Sequence, residues 1–257
     1  MEAKVMLAPK EIAESTVAVG EYKTSKPNQK VFLSAILAGL FIGLGYVGYL
    51  VVSGVMTDPG VAKVVGAAVF PVGLILVLIA GADLFTGNTL ISMAWFSKKV
   101  SFKDFSKNLS IVWAGNLVGA LFLVALIYTS HLFYDGIADA TIHLAEKKAH
   151  LTFVEVLTRG IIANIIVSVS VYMTYAAKDI VGKVVLAFFP IWLFVISGAE
   201  HSIANMFVLP LGKLLGAQIS WGEVVANIIP ATIGNIIGGL IIAGAYYLLF
   251  IKDKKQA

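Results

Sequence analysis

Apolar residues come in six long runs along the chain, at about 31–53, 64–96, 109–131, 157–177, 184–209 and 224–251, and short polar stretches between them hold most of the charges. Each run reaches the ~20 residues an α-helix needs to cross a bilayer, so the pattern predicts six membrane-spanning helices. Two runs are interrupted. The second contains Gly81-Ala82-Asp83-Leu84-Phe85-Thr86-Gly87-Asn88, and the fifth contains Gly198-Ala199-Glu200-His201-Ser202-Ile203-Ala204-Asn205. Both read G-A-[D/E]-x-x-x-x-N. A carboxylate at membrane depth is costly unless it has a partner, so two copies of one mark broken helices.

The second half of the chain echoes the first beyond these breaks. Gly115-Asn116-x-x-Gly119 matches Gly234-Asn235-x-x-Gly238, and Ser101-Phe102-x-Asp104 with Asn108 matches Ser220-Trp221-x-Glu223 with Asn227. Phe70-Pro71 has an approximate counterpart in Phe189-Pro190, two residues closer to its break. The first and fourth runs align poorly, so their equivalence is inferred. Three spans per half is an odd number, which forces the second copy to enter the membrane in the opposite sense. The expected fold is therefore an all-α membrane protein of six spans in an inverted 3+3 repeat, with spans two and five broken and meeting near the midplane. Irregular backbone survives there only where protein covers it or where it lines a watery cavity, which points to a pore through each protomer.

Ahead of the spans, residues 10–22 follow Pro9 and mix Ile12, Ala13, Val17 and Val19 with charges, which fits a helix on the membrane surface or a solvated arm equally well. The expected organisation is a cytoplasmic arm at 1–30, a channel domain at 31–251 with repeats at about 31–131 and 157–251, and a cytoplasmic tail at 252–257. The polar stretch holding Asp135, Asp139, Glu146, Lys147 and Lys148 reads as a connector.

Composition narrows the class. With 59% hydrophobic and 13% charged residues and a mean hydropathy of +0.91, the chain falls outside soluble globular proteins. The net charge of +4 does not indicate nucleic acid, because the lysines sit in short loops between spans. Fourteen of the nineteen Lys and Arg fall on the side of the termini, which the positive-inside rule places in the cytoplasm of a cell with this protein in its plasma membrane. No cysteine is present, which excludes disulfides and thiolate metal sites. One histidine within the spans is too few for a haem enzyme, and Ser202 beside His201 on one segment is poorly placed for nucleophilic catalysis. Neither an enzyme nor a cofactor is expected.

The breaks carry the candidate chemistry. A helix restarting mid-membrane exposes N–H groups that favour an anion. Thr86, Ser202, Asn88 and Asn205 add neutral hydrogen bonds, and His201 can donate, accept or share a proton near neutral pH. Asp83 and Glu200 read as structural, capping freed N–H groups or pairing with a basic residue. Phe70, Leu74, Leu84, Phe85 and Phe194 are bulky and near the same depth, and form candidate constrictions that resist hydrated or charged species. A weak acid whose charge is muted in transit suits this combination. A neutral-solute channel is the alternative, though twin Asn-Pro-Ala motifs are absent.

The motifs Gly81-Ala82-Asp83-Leu84-Phe85-Thr86, Ala145-Glu146-Lys147-Lys148, Ala163-Asn164 and Glu200-His201-x-x-x-Asn205 make the chain resemble the formate–nitrite transporter family over nearly its whole length. The resemblance implies an aquaporin-like fold, a homopentamer in membrane lipid, and conduction of small monovalent anions such as formate, nitrite, lactate or hydrosulfide, as a channel or as a proton-linked transporter. It also implies that Thr86 and His201 face a central site with Asn205 beside His201, and that Lys148 supplies positive charge held by Glu200 and Asn164. Leu74, Leu84 and Phe85 would form an inner constriction, Phe70 and Phe194 an outer one. Gly87-Asn88 follows Thr86 where some formate-conducting members carry small hydroxyl residues, and the chain looks most like the hydrosulfide-conducting branch.

Overall fold

The computed structural model describes residues 6–252 and is helical throughout, with one isolated bridge between Met6 and Ala177. The part of the expected tail after Lys252 lies outside the described residues, as do residues 1–5 of the expected arm. The helices are α1 (Pro9–Ser25), α2 (Asn28–Val55), α3 (Pro59–Val69), α4 (Val72–Ala80), α5 (Phe85–Asn88), α6 (Ser92–Phe96), α7 (Phe102–Thr129), α8 (Asp135–Ala149), α9 (Phe153–Thr174), α10 (Ile180–Ile196), α11 (Ser202–Leu215) and α12 (Trp221–Phe250), with a 3-10 turn at Thr89–Ile91 joining α5 to α6. Five helical stretches are long and apolar enough to span a membrane: α2, α3 with α4, α7, α9 and α12. The remaining span, the fifth along the chain, is α10 and α11 in series across the second break.

Local sequence sets the ends of these helices. Asp58 caps α3 by accepting from the Val61 N–H at 2.8 Å, ahead of Pro59 at the first helical position. Thr152 with Glu155 and Ser220 with Glu223 form capping boxes at the starts of α9 and α12, and Ser101 caps α7. Polar residues thus carry these helices beyond their apolar runs, to Phe102 and Trp221 rather than the expected starts near 109 and 224. Gly81 and Gly198, at φ of 81° and 73°, end α4 and α10 in the left-handed conformation that glycine adopts without steric cost.

The two halves repeat the same packing, in which α2 on α7 corresponds to α9 on α12, so spans one and four play equivalent parts. Gly119 of α7 lies against the Ile36 carbonyl of α2, while Gly238 of α12 lies against the Ile161 carbonyl of α9. A Cβ at either glycine would collide with that backbone, so the glycines set the close approach of each pair. The Phe-Pro correspondence does not hold: Phe70-Pro71 separates α3 from α4, whereas Pro190 sits inside an unbroken α10 and Phe189 is exposed.

The repeat also extends further than the spans. The stretch around Lys148 is not a connector but the helix α8, and α1 is its counterpart. Ile12-Ala13-x-x-Thr16 in α1 matches Ile137-Ala138-x-x-Thr141 in α8, and each buried threonine hydroxyl donates to the carbonyl one turn back, Ile12 at 2.8 Å and Ile137 at 2.7 Å. Helix α1 packs its Ala13, Thr16, Val17 and Gly20 face on α6, α7, α9 and α12 rather than lying free on a membrane surface. Helix α8 packs in the same manner on α2, α11 and α12.

Candidate functional site

Each break consists of a left-handed glycine, an extended stretch and a helix start, and the same polar scaffold closes both. At the first, Asp83 N–H donates to the Ser34 carbonyl at 3.4 Å; at the second, Glu200 N–H donates to the Arg159 carbonyl at 3.3 Å. The N–H groups freed at the two helix starts are taken by asparagines of the long helices. Asn116 Oδ1 accepts from Phe85 N–H and Asn235 Oδ1 from Ser202 N–H, both at 2.9 Å. Their amides are fixed in turn, Asn116 donating to the Ala35 and Asp83 carbonyls and Asn235 to those of Gly160 and Glu200, at 2.7–3.0 Å. Buried backbone groups of both turns thus find partners on the long helices, which is what irregular backbone needs at this depth. The asparagines, not the carboxylates, do this capping. They had been visible in the sequence only as a repeat match.

The two carboxylates hold lysines from the packed amphipathic helices. Lys148 Nζ of α8 lies 2.7 Å from Glu200 Oε1, and both side chains are almost fully buried. Lys23 of α1 lies 3.1 Å and Lys26 3.3 Å from the two oxygens of Asp83. Asn205 Nδ2 bonds Glu200 Oε2 at 2.6 Å and Asn227 Oδ1 at 2.7 Å, and Asn227 bonds the Lys148 carbonyl at 2.9 Å. Asn88 repeats this with Asp83 at 3.4 Å and Asn108 at 2.9 Å, Asn108 bonds the Lys23 carbonyl, and Lys23 Nζ also reaches Asn88 Oδ1 at 2.5 Å. Lys23 is thus the counterpart of Lys148.

These contacts correct one expected neighbour and define another. Asn164 does not hold Lys148: its amide donates to the Asn235 carbonyl at 2.5 Å, to Thr89 Oγ1 at 3.1 Å and to the Thr86 carbonyl at 3.4 Å, tying the two breaks together. The Asn205 side chain is turned to Glu200 and Asn227, and only its backbone N–H meets His201, at the carbonyl, 2.9 Å away.

The breaks touch where Thr86 Oγ1 meets His201 Nε2 at 2.9 Å, with both residues buried. His201 is also the N-cap of α11, its Nδ1 accepting from the Ala204 N–H at 3.3 Å. A neutral imidazole accepts at one nitrogen and donates at the other. With Nδ1 occupied as an acceptor, the ring carries its proton on Nε2 and donates to Thr86, and a second proton enters only at the expense of the cap. The Thr86 hydroxyl, accepting from His201, keeps its own proton for another acceptor.

On the side of α8, a vestibule of about 640 Å³ runs down to Phe70, Phe194 and Glu200, with Lys63, His143, Lys147, Lys148 and Arg159 in its lining. There Phe70 and Phe194 meet at 6.0 Å between ring centroids, and Phe194 lies edge-on to His201 at 5.8 Å. Leu74, Leu84 and Phe85 are each 2% exposed. Thr86 and His201 are thus buried beyond the end of a basic funnel, with the Phe194 ring against the imidazole.

This architecture has known relatives. The sequence model of a family described as formate/nitrite transporter matches residues 10–249. The chain belongs to the formate/nitrite transporter family. It is 39% identical over 258 residues to a Bacillus subtilis (strain 168) protein described as the uncharacterized transporter YrhG, covering 97% of this chain and 95% of that protein. To the formate channel FocA of Escherichia coli (strain K12) it is 36% identical over 273 residues, covering 96% of each. Among solved structures, one described as a pentameric formate channel with formate bound matches with a TM-score of 0.78 at 32% identity, covering 88% of this chain and 98% of that one. An FNT family ion channel matches with a TM-score of 0.86 over 93% of this chain and 98% of that one, and at 24% identity it shows the shared fold. Members of the family described by function are channels and transporters, so the chain is a membrane transport protein and not an enzyme.

Proposed function

We propose that this protein is a homopentameric channel for small monovalent weak-acid anions, hydrosulfide first and formate or nitrite next, set in the plasma membrane with both termini in the cytoplasm. The observation that carries the reading is the Thr86–His201 contact, a donor pair sealed among apolar side chains at the foot of a basic vestibule. An anion gathered near Lys148 meets Phe70 and Phe194, where shedding water is costly for a charge and much cheaper for a neutral acid. A weak acid lowers that cost by taking a proton from vestibule water; chloride cannot. At the centre the Thr86 hydroxyl offers the hydrogen bond that replaces lost hydration, and His201 Nε2–H polarises it. His201 thereby modulates how far the substrate retains its proton.

The cytoplasmic assignment of the termini rests on the excess of Lys and Arg on their side. Hydrosulfide is put first because Gly87-Asn88 follows Thr86 and because Phe194 closes directly on His201. Formate is the competing physiological substrate, favoured by the similarity to FocA. Uptake of hydrosulfide, formate, nitrite and chloride into proteoliposomes, measured at several pH values with a His201 variant alongside, tests the proposal. Equal passage of chloride, or weak-acid flux indifferent to His201, would remove it.

A further inference from the structure

Helix α10 runs unbroken through Pro190, which has no N–H to give to the carbonyl four residues back, that of Leu186. In a membrane such a carbonyl needs a donor from elsewhere, and a neighbouring serine or threonine is one source. Ser170 of α9 is that source here. Its side chain is fully buried, and its hydroxyl donates to the Leu186 carbonyl at 3.2 Å. The neighbouring helix thus replaces the bond that the proline removes.

This joint lies one turn ahead of the outer aromatic pair. Phe194 follows Pro190 by four residues, on the same face of the helix, and its ring meets Phe70 at 6.0 Å and His201 at 5.8 Å. Beyond the joint α10 is tied to a different helix. Trp192 Nε1 donates to the Val64 carbonyl of α3 at 3.2 Å, and Phe70 is the C-cap of α3. The segment that carries Phe194 is therefore fastened to the helix that presents Phe70, while the segment before Pro190 is fastened to α9 through Ser170. Sharp bends in helices concentrate at prolines, because the missing bond frees one turn to change its angle. The angle at that turn decides how closely the two rings approach.

We propose that Ser170 is a positioning residue for the outer constriction: by holding the Leu186 carbonyl it fixes the turn at Pro190, and so keeps Phe194 closed on Phe70 and His201. The inference rests on the reading of Phe70 and Phe194 as a constriction in an anion pathway. It adds to that pathway a residue outside the vestibule lining, which acts only through the ring it places.

The test is formate and hydrosulfide flux into proteoliposomes, expressed per assembled protein. Ser170→Ala takes the donor from the Leu186 carbonyl and frees the turn, and should raise flux about two- to tenfold, the factor that corresponds to the net contribution of one hydrogen bond. In a Phe194→Ile background the same change should add nothing, because Ser170 acts through that ring. In a Pro190→Ala background it should again add nothing, because position 190 then supplies the N–H itself. A serine that serves stability alone would make Ser170→Ala less heat-resistant and leave its flux at the wild-type value. That result overturns the inference, and so does a rise that persists undiminished in either background. If Ser170→Ala does not assemble, Ser170→Cys decides, since a thiol is a weaker donor of similar size: raised flux supports the joint and unchanged flux overturns it. Flux that rises in Phe194→Ile but not in the Ser170 variants overturns the joint and leaves the channel standing. Wild-type protein that carries neither anion overturns both.

Discussion

Lys148→Met removes the cation that faces Glu200, and the structure gives the size of the result. The pair is 2.7 Å apart, with Lys148 7% and Glu200 2% exposed. Without the lysine, Glu200 keeps one side-chain donor, the Asn205 amide. Breaking a buried pair from one side costs about 3–5 kcal/mol, because a charge is left uncompensated. Lys148→Met combined with Glu200→Gln removes both charges, and the glutamine carbonyl can still accept from Asn205. Replacing a buried pair with neutral side chains of similar size is often neutral or stabilising, so the double variant should recover most of the loss. Anion flux should not recover, since the floor of the vestibule has lost its positive charge. The assay is the fraction of purified assembly that survives a heat step, read by size-exclusion chromatography, beside proteoliposome flux of the same samples. A single variant as heat-resistant as wild type would refute the burial argument. A double variant that conducts normally would refute the role of the charge in gathering anions.

His201→Phe should abolish weak-acid flux while the assembly persists; the lost cap costs about 1 kcal/mol, and chromatography with flux checks both halves of the statement. Phe194→Ile removes the ring that closes on Phe70 and His201, and should raise flux in proteoliposomes; an unchanged rate would make Phe194 ordinary packing. Asn235→Leu strands Ser202 N–H and the Glu200 carbonyl at about 1–3 kcal/mol each and should lower the melting temperature sharply. Asn116→Leu, which strands Phe85 N–H and the Asp83 carbonyl in the other half, should do so by a similar amount; a tolerated substitution at either position would show that the breaks are held by something else.

The spans and the breaks were legible in the sequence because membrane thickness fixes run length and because Asp83 and Glu200 stand out in apolar surroundings. The extent of the repeat was not. Helices α1 and α8 bury small or polar residues, Thr16 and Gly20 in one, Thr141, Ala145 and Lys148 in the other, so neither shows an apolar stripe. The five-residue echo from Ile12 to Thr16 and from Ile137 to Thr141 becomes meaningful only once both hydroxyls are seen making the same bond. Lys148 reads as a loop lysine until the chain brings Glu200 to it from 52 residues away. Asn164 was drawn to the lysine by resemblance, but Thr86, Thr89 and the Asn235 carbonyl hold its amide.

The hydrogen bonds and ion pairs that hold the carboxylate residue of each break come from one half of the chain. Asp83 is held by Lys23, Lys26, Asn88 and Asn116, Glu200 by Lys148, Asn205 and Asn235. The ribosome delivers the first set complete by the end of α7, before any of the second exists. The N-terminal half can therefore settle its broken helix during translation without waiting for its partner, and the C-terminal half repeats the step in the opposite orientation against a finished template. What is left for the end of synthesis is a docking of two prepared halves, in which Thr86 meets His201.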